Sequence, residues 1–141
     1  MFNRSDRPLP HAARITELLE LAYAAELTRM RHVLKALECA QDAGLRSDWR
    51  ACIAEARARA AMLAHMLGEL GVASAATSEP RAAGGDCLLE AMELALRNGD
   101  LTAAEAIARE CVVLAEARCA QAWRRVQQAM TVRTGGATLA A

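Results

Sequence analysis

The sequence predicts an all-α fold, a four-helix bundle made of two antiparallel helical hairpins joined by a crossover. Three observations predict it. Apolar residues make up 54% of the 141 positions, much of that fraction alanine, the strongest helix former. Aromatic residues are only 3%, and valine and isoleucine are few, so strand-forming side chains are scarce. Long stretches repeat their apolar residues at spacings of three and four, and Pro8, Pro10 and Pro80 all fall outside them.

The elements follow in order. Residues 1–11 form a polar, flexible N-terminal arm, and a single bundle domain occupies 12–130. Helix 1 runs from about Ala12 to Asp42, with Ile15, Leu19, Ala22, Met30, Val33, Leu37 and Ala40 on one stripe. Gly44 reads as its C-terminal stop, and Ser47 and Asp48 as N-caps for a second helix that reaches Leu70. Its apolar face is expected to carry Cys52, Ala56, Ala60, Leu63, Leu67 and Leu70. The break from Val72 to Asp86, rich in Ser, Thr and Gly, is longer than a tight helix turn and long enough to cross the bundle. Helix 3 is short, about Cys87 to Arg97, and Asn98-Gly99-Asp100 is a turn. Thr102 and Glu105 have capping-box spacing at the start of helix 4, which runs to about Met130. Residues 131–141, with Gly135 and Gly136, read as a disordered tail.

Charge and composition exclude several functions. Seventeen acidic residues balance seventeen basic ones, and few aromatics are present to stack on bases, so nucleic acid is not an expected partner. No apolar run approaches the roughly 20 residues that cross a bilayer. The polar N-terminus lacks the apolar stretch of a secretory signal. The five cysteines are odd in number and show no Cys-x-x-Cys spacing. Reduced thiols in a cytoplasmic protein are the expectation.

One residue carries most of the chemical information. At about 100° per residue, Glu26 falls at the centre of the helix 1 stripe, between Ala22 and Met30, while Glu17, Glu20, Arg31, Lys35 and Glu38 lie on the outer face. A carboxylate inside an apolar stripe loses several kcal/mol of solvation unless a metal, an arginine or a proton compensates it.

The segment Leu21-Ala-Tyr-Ala-Ala-Glu26-Leu-Thr28, with Leu67-Gly-Glu-Leu-Gly71 closing the second helix, resembles the first helical hairpin of bacterioferritins in the ferritin-like superfamily. The resemblance extends over 12–130 and is strongest in helices 1 and 2. It implies a ferritin-like bundle with Glu26 in the place of the first iron-binding glutamate. It also implies a Glu-x-x-His motif on helices 2 and 4, whose paired side chains would reach one di-iron site. Neither copy is present. Arg59-Ala-Ala-Met62 stands at the first, and Arg118 with Gln121 at the second. Arginine cannot ligate a cation. The expectation is therefore a degenerate di-iron site, with Arg59 and Arg118 neutralising Glu26 in a buried ionic network and no catalytic residue.

Other readings compete. Iron, or copper through sulfur, could bind at Glu26, Met62, His65 and Cys119. His11 and His32 are expected on the surface. His65 is also expected to be exposed, and Ala64-His65-Met66-Leu67-Gly68 resembles the motif of histidine phosphotransfer domains. The stretch from Asp42 to Arg50, between two amphipathic helices, is loosely similar to secretion and flagellar export chaperones. The buried-ion-pair reading leads instead to a non-catalytic ferritin-like protein acting through protein–protein contact. A homodimer or small homo-oligomer is expected, because a short helix 3 leaves parts of the other helices uncovered.

Overall fold

The structure, a computed structural model, describes residues 10–72 and 86–140. It is all-helical, with α1 at Pro10–Cys39, α2 at Ala43–Glu69, α3 at Asp86–Arg97 and α4 at Leu101–Ala140. No strand occurs among the described residues. Most of the expected N-terminal arm and of the α2–α3 crossover lies outside them. Among the described residues no helix is long and apolar enough to cross a membrane.

The helix ends depart from the sequence expectation in instructive ways. α1 begins two residues early, at Pro10, whose fixed φ and missing N–H suit a first turn. The α1–α2 connection is tighter than expected, because Gly44 lies inside the first turn of α2 rather than stopping α1. The cap is Asp42, with φ −83° and ψ 133°, and its carboxylate accepts the Leu45 N–H at 2.9 Å. A Cβ at Gly44 would lie 3.0 Å from that carboxylate, so the glycine makes room for the cap. Ser47 and Asp48 are simply helical. At the other side of the turn, Arg46 Nε donates to the Ala40 carbonyl at 2.9 Å, answering part of the unsatisfied end of α1.

α2 stops at Gly71 as the sequence suggests, but Leu70, expected on the apolar face, is the C-cap residue and lies exposed where the helix turns away from the core. Gly71 is left-handed at φ +81°, and Val72 N–H and Gly71 N–H donate to Leu67 and Gly68 carbonyls in a Schellman motif. The α3–α4 turn repeats the device at Gly99, φ +71°, with Asp100 N–H on the Ala95 carbonyl. Asp100 then caps α4 by accepting the Ala103 N–H at 3.1 Å. Thr102 is therefore within the helix, and Glu105 is released from the expected capping box. Its carboxylate accepts the Gln41 N–H at 2.7 Å, tying the start of α4 to the α1–α2 turn. α4 also continues past the expected boundary at Met130, through Gly135 and Gly136, to Ala140. Glycine inside a helix costs about 1 kcal/mol relative to alanine, which weakens a helix without forbidding it.

α1 is the element around which the others pack. It lies along α2 and α4 and touches α3, while α4 also packs on α3. Two apolar clusters result. The first joins Val33, Ala36 and Cys39 of α1 to Trp49 and Ile53 of α2, Met92 of α3, and Ala104 and Ala108 of α4. Its alanines are fully buried, which lets α1 and α4 approach closely. The second joins Leu18, Leu19 and Ala22 of α1 to Leu63 and Leu67 of α2 and Val126 of α4. Trp49 is thus a core residue, and Trp123 rests half-buried against the second cluster. Between the clusters lies a layer of small buried side chains, Ala56, Ala60, Ala115 and Cys119.

The two candidate caps of α2 are separable by stability. Asp42→Ala is expected to lower the unfolding free energy by about 1 kcal/mol, read from urea unfolding. Ser47→Ala is expected to leave it unchanged within the error of the same measurement.

Candidate functional site

The layer of small side chains holds the charged centre of the molecule. Glu26 is 3% exposed, as its place on the helix 1 stripe requires, and Arg29, one turn further along α1, is 4% exposed. Arg29 Nη2 donates to Glu26 Oε2 at 2.9 Å. The guanidinium that answers Glu26 therefore comes from its own helix. It is not supplied by Arg59 or Arg118. Arg59 is 41% exposed and pairs with Glu55 at 3.3 Å, because its long side chain reaches solvent past the small residues of α2. Arg118 is half-buried and makes no ion pair among the described residues; the group it influences is the Cys111 thiol.

From this pair a network spreads over three helices. The Cys119 thiol of α4 hydrogen-bonds the Glu26 carboxylate. Arg29 Nη1 faces Cys52 of α2, with its Sγ at 3.9 Å, and Glu55 at 3.7 Å. Cys52 Sγ donates in turn to Glu116 Oε1 of α4 at 3.4 Å. Arg29 Nε has no partner among the described residues. Above the pair, a groove of about 440 Å³ opens between α2 and α4, lined by Arg29, Glu55, Arg59, Val113, Glu116 and Ala120. Glu116 thus turns its carboxylate toward the site.

The surroundings hold the guanidinium charged and the two thiols protonated. Burial, the largest single influence, opposes the charge on Arg29, but Glu26 together with the Cys119 and Cys52 sulfurs outweighs it, and the guanidinium pKa stands above its ordinary value. Burial, reinforced by the Glu26 charge, pushes the Cys119 thiol up to about 12. Burial likewise raises Cys52 to about 11; Arg29 pulls the other way, and the hydrogen bond to Glu116 adds to the rise. Both thiols are protonated at neutral pH. They are poor nucleophiles, since the thiolate is the reactive form, and a metal would have to displace their protons.

These residues do not fit a di-iron centre. Such a site needs about four inward carboxylates with two histidines, whereas this layer offers one fully buried carboxylate, already engaged by a buried cation. Among the described residues no group of three or more His, Cys, Asp or Glu side chains is placed to hold a metal ion. Of the residues considered as iron or copper ligands, only Glu26 and Cys119 are brought together. Met62 is exposed. His65 is also exposed, with 76% of its side chain accessible, and sits 3.1 Å from Glu69 one turn along α2.

Two residues that matter were misplaced or passed over in the sequence. Arg29 is signalled in the sequence only by Glu-x-x-Arg spacing, which puts both residues on one face of α1. His32 was expected on the surface and is 1% exposed. α1 is covered by neighbours on several sides, so its buried arc is wider than a single stripe.

Removing either arginine distinguishes the two assignments. Arg29→Met strands a buried carboxylate and is expected to cost about 3–5 kcal/mol. Arg59→Met breaks only an exposed pair, worth about 0–1 kcal/mol. Chemical unfolding of both variants checks this. The thiols make a second prediction. Their folded pKa values of about 11 and about 12 exceed the roughly 8.5 of an unfolded cysteine. The stability they contribute is complete below that unfolded value. It falls as pH rises toward the folded values, with a slope on the order of 1.4 kcal/mol per pH unit for each thiol. Unfolding under reducing conditions from neutral to alkaline pH measures the slope, which is expected to flatten in Cys119→Ala.

No family model matches the chain, and no curated protein or solved structure matches it either.

Proposed function

We propose that this chain is a non-catalytic helical-bundle protein that works through its surface, as a homo-oligomer or in contact with another protein. The observation that carries the reading is the Glu26–Arg29 pair at 2.9 Å. The carboxylate at which the bacterioferritin resemblance would bind iron is held by a buried guanidinium, which repels a cation and uses an oxygen that a metal would need. The nearby thiols are raised well above neutral pH, so the layer offers neither an activated nucleophile nor a ready metal ligand.

The packing also bears on the resemblance. Late α1 shares a cluster with early α2 and early α4, while early α1 shares one with late α2 and late α4. This favours an alternating course, with each helix running against the one before it. Such a course contains the two antiparallel hairpins expected from the sequence. It does not need the long crossover of ferritin-like folds. The likeness to bacterioferritins is accordingly proposed for the first hairpin, and the ferritin-like label for the whole bundle rests on that hairpin alone.

Protein purified without chelators and assayed for iron and copper tests the reading. The expected metal content is far below one ion per chain and is unchanged in Glu26→Gln. One or two irons per chain, lost in Glu26→Gln, would overturn it and restore the metal-binding alternative.

A further inference from the structure

Two grooves mark the surface. One, of about 680 Å³, is an exposed seam between α1 and α3 whose apolar lining is Leu27, Met30, Leu34 and Leu89. The other, of about 440 Å³ between α2 and α4, differs in having the buried Arg29 in its lining. The Arg29 guanidinium makes one close hydrogen bond to a carboxylate, from Nη2 to Glu26 at 2.9 Å. Its Nε has no partner among the described residues. Its Nη1 has the Cys52 sulfur, a weak acceptor, at 3.9 Å and Glu55 Oε1 at 3.7 Å. A charge-assisted hydrogen bond to a carboxylate is ordinarily about 2.7–2.9 Å long. The same Glu55 oxygen lies 3.3 Å from Arg59 Nη2. One carboxylate oxygen therefore stands between two guanidiniums and reaches neither closely. Glu55 is 54% exposed, so its side chain has water to turn into.

We propose that the α2–α4 groove binds a free α-amino acid. Its carboxylate takes the position that Glu55 Oε1 marks between Arg29 and Arg59, and its ammonium faces Glu116. Charge selects this class of ligand. Once Glu55 turns outward, the two arginines stand against Glu26 and Glu116, so a ligand without net charge keeps the balance. A simple carboxylate would bring an excess negative charge beside Glu26 and Glu116. A simple amine would bring an excess positive one beside Arg29 and Arg59. The span fits as well. Cys52 Sγ is 3.9 Å from Arg29 Nη1 and 3.4 Å from Glu116 Oε1, so those two atoms are no more than about 7 Å apart. An amino acid's carboxylate and ammonium bridge that distance with one hydrogen bond at each end. Val113, Ala117 and Ala120 supply an apolar wall on α4, which favours an aliphatic side chain on the ligand. The volume lies within the range of about 300–1,000 Å³ usual for small-molecule sites. Binding makes and breaks no covalent bond, so the site goes beyond the surface-acting reading without requiring catalysis.

Isothermal titration calorimetry of the full chain with L-alanine, L-valine and L-leucine, each to about 10 mM, tests the site. Saturable binding of at least one of them is expected. Sodium acetate and methylammonium chloride each carry half of the charge pattern, and neither is expected to saturate in that range. Arg59→Met and Glu116→Gln each remove a hydrogen bond to a charged group and are expected to weaken the amino acid about tenfold or more. Glu55→Gln removes the competing carboxylate and is expected to act in the opposite direction, tightening binding. Circular dichroism confirms that each variant folds. The proposal is overturned by no binding of any of the three amino acids, or by acetate binding as tightly as they do. Unchanged affinity in both Arg59→Met and Glu116→Gln, or weaker binding in Glu55→Gln, overturns it equally. Metal content is a separate measurement, so failure here and failure of the surface-acting reading are distinct.

Discussion

The fold is organised around one buried ion pair. Glu26 and Arg29 sit between two apolar clusters, in a layer whose other side chains are alanines and a cysteine. Neither ion could remain there alone, since an isolated charge in a protein interior loses several kcal/mol of hydration. Because the two are one turn apart on a single helix, their pairing survives small shifts of α2 or α4. What the neighbouring helices add is secondary satisfaction: Cys119 to the carboxylate, Cys52 and Glu55 to the guanidinium. An intact buried pair adds little net stability over an apolar substitute. It does fix which faces of α2 and α4 turn inward, since a misaligned helix would leave part of the guanidinium unanswered.

That constraint also explains the small residues. A guanidinium and a carboxylate inside a bundle need more room than two leucines flanked by leucines would leave. Ala56, Ala60 and Ala115 provide it. Away from the ions, the second cluster returns to leucine and valine, while the first sets methionine, valine and tryptophan against alanines that let α1 and α4 approach. The open groove over Arg29 is a consequence of the same economy of side-chain volume. The exposed seam between α1 and α3 has a different origin, in the twelve-residue length of α3, which is less than half that of the helix beside it.

Much of the fold was legible in the sequence. Spacing of three and four gave the four helices, and Gly71 and Gly99 marked real left-handed stops. Caps were read less well. Gly44 reads in the sequence as a terminator of helix 1, with Asp42 inside that helix, and only the folded backbone shows that the glycine seats the Asp42 carboxylate as the cap of α2. For the site, Glu26 announced itself by standing on an apolar stripe, which is a one-dimensional signal. The identity of its counter-ion was not, because Arg59 and Arg118 stand on similar stripes and only packing decides how far a long side chain reaches toward water. The Cys52–Glu116 contact was illegible for the same reason, since it joins side chains of two helices far apart in the chain.

A double-mutant cycle puts the central claim to its sharpest test. Unfolding free energies of Glu26→Gln, Arg29→Met and the double variant give the coupling between the two residues, and a parallel cycle with Arg59→Met gives the control. The account predicts a coupling of about 3 kcal/mol or more for Glu26 with Arg29, and one near zero for Glu26 with Arg59. Comparable couplings in the two cycles, or a larger one with Arg59, would contradict it.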